Sequence, residues 1–434
     1  MIKQESVYFM CCLMLSGYVL SSCTLGGKKQ QDNQRVRVLI STDIGGTDPD
    51  DNQSMAHFLM YCNEFDVEGL VSSPSYGCGS REEILRMIDL YEQDLLQLRK
   101  HDKGWLDPDY LRFITKQGRK GAVPYCGYST ATEGSEWIVK CARRVDERPL
   151  WVLVWGGLDD LAQALHDAPD IADKIHVYWI GGPNKKWSTN SYAYIVEHFP
   201  NLWFIENNSS YRGFIGKKNV EDEFNASYYD TYIKGGGKLG DDFVNYLEGH
   251  CKLGDTPSLL YLMDGDPSDP MCDSWGGSFV PLVHSSCVII DRPTTATDTV
   301  PIYSIMEFRI NGPKVDLPAD SVCFTLTIGK QKWGGYYLGN GMYVVRHSTY
   351  YTGTLPYTII SDIPDFPIWN GEITVDNMWP GTFCSTDYLL GDTWYTDKPD
   401  LSLFENGVQG ARTVSYWRNV VMADWGKRWS WLKE

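Results

Sequence analysis

Apolar residues follow two rhythms along this chain. Between residues 35 and 205, short continuous apolar runs alternate with longer stretches whose apolar positions recur every three to four residues. Residues 35–42 (RVRVLIST), 67–72, 150–155, 175–180 and 202–205 read as buried strands. Helical spacing is predicted over 50–62, where Met55, Phe58, Leu59 and Tyr61 can pack, and over 81–98 with Ile84, Leu85, Ile88, Leu90 and Leu95. Residues 133–144 and 158–166 read as two further helices. This alternation predicts an α/β fold, a mostly parallel sheet with helices on both faces, whose ligands sit beyond the C-terminal ends of the strands.

The rhythm changes beyond about residue 283. Runs such as PIYSIMEFRI, SVCFTLTIG and GEITVDN, broken by Gly, Pro and Asp, predict an all-β sandwich module. Helical spacing returns over residues 411–432, with Trp417, Val420, Val421, Trp425 and Trp429 on nearby faces. The expected organisation is a main domain over 35–283, a β-rich insertion over 284–410, and a helix over 411–434 that closes the main domain.

The N-terminus reads as a targeting segment. Lys3, an apolar run from Val7 to Leu20 and the sequence Leu20-Ser21-Ser22-Cys23 resemble a bacterial lipobox. The expectation is cleavage after residue 22, lipidation of Cys23, and a polar tether over 23–34. The protein would then be exported and held in the bacterial cell envelope, touching the membrane only through that lipid. A formal charge of −17 argues against a nucleic-acid polymer as partner. The nine cysteines beyond Cys23 show no zinc-ligand spacing. Sixteen Trp and twenty-seven Tyr offer flat faces for sugar rings, and they serve a β-sandwich core equally well.

The chemistry concentrates in Ser41-Thr42-Asp43-Ile44-Gly45-Gly46-Thr47-Asp48-Pro49-Asp50-Asp51, at the end of the first strand. Carboxylates converging on one point repel each other unless a cation sits among them, and all-oxygen donors suit calcium or magnesium. The plainer reading is a solvated Asp-rich turn in which Asp50 caps the next helix.

This segment resembles the Asp-x-Asp-x-Gly-x-Asp-Asp motif of the inosine/uridine-preferring nucleoside hydrolases, with Ser41 in place of the first Asp. It looks still more like a secreted bacterial subgroup of nucleoside-hydrolase-like proteins, some labelled cellulose-binding. Three downstream segments agree in order: Trp155-Gly156-Gly157-Leu158-Asp159-Asp160-Leu161-Ala162, Ile180-Gly181-Gly182, and Gly254-Asp255-Thr256-Pro257. The resemblance implies a calcium ion held by Asp43, Asp51, Asp255 and the carbonyl of Asp159. Asp43 would be the general base for a water attacking an anomeric carbon, and Asp50 would grip sugar hydroxyls with Asp51 and Asp255. The implied substrate is a small furanoside, a nucleoside or an oligosaccharide.

Departures from the pattern matter too. The family's His before the last metal-binding Asp is Gly254 here, which leaves no evident acid for the leaving group. The four-residue insertion 46–49 makes Asp48 a competitor of Asp50. The ribose-binding segment has no clean counterpart, and Glu206, Asn207, Asn208 and Asn190 are the candidates, with Trp275 as a stacking wall. His57 and His198 lie in amphipathic helices and read as packing residues. A glycosidic-bond hydrolase is expected; the alternative is a non-catalytic carbohydrate-binding lipoprotein that uses the same calcium pocket.

Overall fold

Strand residues of the main sheet send alternate side chains to opposite faces, and each face is apolar. On Val36–Thr42, Leu39 points into one core while Val38 and Ile40 point into the other. The computed structural model describes residues 35–215, 227–318 and 320–434. The leader, Cys23 and the tether fall outside the described residues.

The main sheet has eight strands in the order Thr115–Gln117, Phe65–Ser72, Val36–Thr42, Leu150–Val154, Ile175–Ile180, Trp203–Asn207, Trp394–Asp397 and Phe279–Pro281. All neighbours are parallel except the last pair. Helices Glu133–Ala142, Asp159–Asp167 and Thr189–His198 cover the face that buries Leu39, Val152 and Trp179. Helices Asp50–Leu59, Arg81–Leu98, Thr256–Met263 and Arg418–Trp431 cover the other. The α/β class is therefore as the sequence predicts.

The β-rich module is a separate, near-closed, barrel-like sheet of eight strands, starting at Cys287–Ile290 and ending at Trp369–Asp376. It is one continuous hydrogen-bonded sheet rather than two facing ones. Its apolar interior, with Phe308, Leu326, Tyr343 and Ile359, runs on into the helix-covered face of the main sheet. Trp394–Asp397, inside the span expected for the module, instead pairs in parallel with Trp203–Asn207. Periodicity shows that a strand exists but not which strand it joins.

The C-terminal helix packs Trp425 and Trp429 into the core beside helix Asp50–Leu59. His57 sits there with its ring 4.8 Å from that of Tyr61 and 5.0 Å from that of Trp425. Neither ring nitrogen has a hydrogen-bond partner, and burial pushes the imidazole down to about 3 from 6.5. His57 is a packing residue, as its helical position indicates. His198 closes helix Thr189–His198, its Nδ1 3.0 Å from the carbonyl oxygen of Tyr194 one turn earlier. The nine cysteines of the described residues are free thiols. No helix among these residues is long and apolar enough to cross a membrane.

Because His57 is neutral in the folded state and protonates below pH 6.5 when unfolded, its contribution to stability is complete above that pH and is lost as the pH falls toward 3. The slope is up to about 1.4 kcal/mol per pH unit. Chemical denaturation between pH 7 and 4 should show this decline, and His57→Phe should flatten it.

Candidate metal and substrate site

The chain leaves its first strand at Thr42 and turns sharply, the Gly46 amide donating to the carbonyl oxygen of Asp43 at 3.1 Å. Gly45 makes the turn possible: its φ is +86°, and a Cβ there would stand 2.6 Å from that of Ser80. Helix Asp50–Leu59 follows with Asp50 and Asp51 in its first turn, where the helix dipole favours negative charge. Pro49 precedes it and no side chain caps it, so Asp50 is not the cap. The Thr42 hydroxyl donates to Asp51.

Asp255 arrives from the other side, at the start of helix Thr256–Met263. Its amide donates to Ser54 Oγ at 3.3 Å and its carbonyl accepts from Ser258 Oγ at 2.8 Å. Trp155, at the end of the fourth strand in sequence, donates from its indole to that same Ser258 Oγ at 2.6 Å. Asp50, Asp51 and Asp255 each bring one carboxylate oxygen within 4.8 Å of the others, and all three are buried. Asp43 lines the same cleft as Asp51 and Ser75.

Like charges this close cost about 3 kcal/mol per pair at an effective dielectric of about 20. Burial raises the pKa of Asp51 and Asp255 well above the usual carboxylate range, and their neighbours' charges add to it. Burial also lifts Asp50 to about 7, against the pull of Lys252, whose Nζ lies 3.2 Å from Asp50 Oδ2. Asp43 is raised by desolvation as well. One oxygen of Asp255, Oδ2, is buried with no hydrogen-bond partner among the described residues. Four carboxylates pressed toward the protonated state, with an orphaned oxygen among them, fit a divalent cation: it would replace the protons and give Asp255 its missing partner.

These residues floor a cleft of about 560 Å³. Tyr76, Trp187 and Tyr211 form walls, and Gln331 and Tyr350 reach in from the β-rich module. Asn184 links the walls: its side-chain oxygen accepts from Ser75 Oγ at 2.7 Å while its amide donates to the carbonyls of Trp155 and Ile180. The aromatic surplus divides accordingly, with Trp155, Trp179, Trp379, Trp394, Trp425 and Trp429 fully buried and a smaller set of rings facing the cleft.

Several expected site residues lie elsewhere. Asp48 pairs with Lys252 outside the carboxylate group, and Asp50, expected on sugar hydroxyls, takes its place in the group. Asp159, whose carbonyl was expected on the metal, opens helix Asp159–Asp167; burial lifts its carboxyl to about 7, and the residue does not line the cleft. Glu206 is locked between Lys185 Nζ, Asn208 Nδ2 and Tyr192 OH at 2.6, 2.7 and 2.6 Å. Asn207 bonds Tyr178 OH, and the Asn208 amide donates to Asp397, so all three hold the sheet edge together rather than face the cleft. Asn190 reaches only the Val123 carbonyl, at 3.5 Å, and Trp275 packs against the core.

A carboxylate-floored cleft at the C-terminal ends of a mostly parallel sheet is where open α/β proteins place their ligands. This chain belongs to the family described as cellulose-binding Sde182, nucleoside hydrolase-like domain, which matches residues 37–279. The nucleoside hydrolase-related hypothetical protein of Saccharophagus degradans, associated with carbohydrate metabolism, is similar over 79% of this chain and 99% of its own, at 19% identity and a TM-score of 0.48. The inosine-uridine preferring nucleoside hydrolase of Bacillus anthracis is similar over 58% of this chain and 87% of its own, at 16% identity and a TM-score of 0.38. No curated protein matches.

Gly254 now has a steric reason. A Cβ at that position would stand 2.2 Å from Asp50 Oδ2, so a side chain there would displace a member of the carboxylate group. Gly254→His is expected to cost about 1–3 kcal/mol and to weaken metal binding. Asp51→Asn removes a carboxyl whose charged form burial and its neighbours disfavour. It should raise the melting temperature of the metal-free protein by roughly 2 °C, the shift of about 1 kcal/mol in a chain this size, and abolish any further rise on adding calcium. Thermal unfolding with and without chelator checks both.

Proposed function

We propose that this protein is an exported, Cys23-lipidated hydrolase of glycosidic bonds in carbohydrate, dependent on calcium held by Asp50, Asp51 and Asp255. The observation that supports this best is the meeting of those three carboxylates with Asp43 in one cleft large enough for a sugar unit. The family's cellulose-binding description favours a glycan over a nucleoside, and so does the wall added by the β-rich module.

When bound, the ion supplies an acidified water and an anchor for sugar hydroxyls. Asp43, partly exposed in the cleft that Asp51 also lines, takes the proton of the attacking water. Lys252 offsets part of the charge that Asp50 brings to Asp51 and Asp255. Asn184 and Ser75 fix the rim against which the sugar ring is oriented. Tyr76 and Trp187, whose rings are 4.5 Å apart, offer the ring a stacking face.

Product release from p-nitrophenyl glycosides, nucleosides and plant oligosaccharides, with calcium or with chelator, tests this reading. Calcium-dependent release is expected, and Asp43→Asn should lower kcat by at least about 100-fold while leaving binding in place. Calcium-dependent sugar binding with no product from any substrate would instead make the protein a carbohydrate-binding lipoprotein. That outcome would agree with Gly254, which leaves the Asp255 side of the cleft without an imidazole.

A further inference from the structure

Buried cations in this fold are normally matched by carboxylates. Arg37 pairs with Glu68, Lys185 with Glu206 and Arg428 with Glu64. In the cleft, Lys252 pairs with Asp48 and Asp50. Two cleft-lining cations, buried Lys186 and half-buried Arg212, lack such a match among the described residues. Lys186 is 5% exposed and bonds only the side-chain amide oxygen of Gln331; among the described residues it has no carboxylate partner. Arg212 donates to Tyr211 OH at 3.3 Å and likewise meets no carboxylate among these residues.

Both cations flank one ring. Lys186 Nζ and Arg212 Cζ each lie 5.5 Å from the centroid of Tyr350, which the β-rich module brings into the cleft. Arg212 and Tyr350 also line a second cavity of about 370 Å³, bordered by Tyr303, Tyr351 and Asn377 and by no Asp or Glu. A substrate resting on the carboxylate floor would meet these two charges as it extends toward the second cavity.

Removing an ammonium from water without a counter-ion is costly, and contact with Trp187 and Tyr350 recovers only part of that cost. Burial holds Lys186 down to about 8, so it remains largely protonated at neutral pH and lacks a negative partner. The missing partner fits a ligand.

We infer that the cleft takes an anionic sugar, its carboxylate or phosphate group held between Lys186 and Arg212 beside Tyr350. This deepens the reading above and rests on the same cleft being the substrate site. A guanidinium and an ammonium suit either oxyanion through charge-assisted hydrogen bonds. The carboxylate floor, being of the opposite sign, orients the ligand with its neutral hydroxyls toward Asp51 and Asp255 and its anion toward Lys186.

The test is calorimetric binding by the full chain of two matched pairs, with and without calcium: digalacturonate against galactobiose, and ribose 5-phosphate against ribose. At least one acid is expected to bind tenfold or more tightly than its neutral counterpart, and which acid does so tells uronate from phosphate. Lys186→Met and Arg212→Gln should each remove most of that advantage while leaving neutral-sugar affinity unchanged and without lowering the melting temperature, which Lys186→Met should raise.

Equal affinities within both pairs would overturn the inference. So would a preference that survives both substitutions, because calcium would then be holding the anion. A fall in melting temperature with both variants would assign the two cations to the fold and overturn it as well. Binding without turnover, with the preference intact, would remove the hydrolase reading and leave this one standing.

Discussion

Carboxylates from two distant stretches of chain are forced together where the sheet ends, and much of the surrounding structure manages their repulsion. Thr42 donates to Asp51, Lys252 bridges Asp48 and Asp50, and the N-terminus of helix Asp50–Leu59 faces two of the charges. These devices are incomplete: burial still drives Asp51 and Asp255 toward protonation, and one Asp255 oxygen has no hydrogen-bond partner among the described residues. Like charges confined with so little compensation form a group that could hold a metal ion.

The β-rich module gives this floor its walls. Its core is continuous with one face of the main sheet, so its position relative to the cleft is set by packing rather than by a linker. Trp187 of the main domain lies 4.7 Å from Trp333 of the module, ring to ring, and Tyr350 and Gln331 enter the cleft from the same side. After the module, the chain returns to the main sheet as strand Trp394–Asp397, and Asp397 then caps the backbone amides of Asn208, Ser209 and Ser210. That return ties the module to the end of the strand whose following loop carries Arg212.

Legibility in the sequence tracked the locality of each signal. Asp43, Asp50 and Asp51 share one loop, and Asp255 sits in a short segment with a recognisable order, so the floor of the site was visible. Lys252 and Asn184 each lie two residues from a segment singled out in the sequence and could have been found there. Glu206, Asn207 and Asn208 misled because polar residues after a strand suit a ligand or one another equally well, and Lys185, Tyr192 and Asp397, which claim them, are scattered along the chain. No local pattern announces Gln331 or Tyr350, which reach the cleft only through tertiary packing. The two halves of the fold were clear from their apolar periods, whereas the membership of Trp394–Asp397 depended on a partner more than 180 residues away.

Long-wavelength diffraction from calcium-soaked crystals tests the central claim most directly. The account predicts one anomalous peak with oxygens of Asp50, Asp51 and Asp255 at about 2.3–2.6 Å. A cleft floor without a peak, its carboxylates bridged by protons and by Lys252 alone, would contradict it.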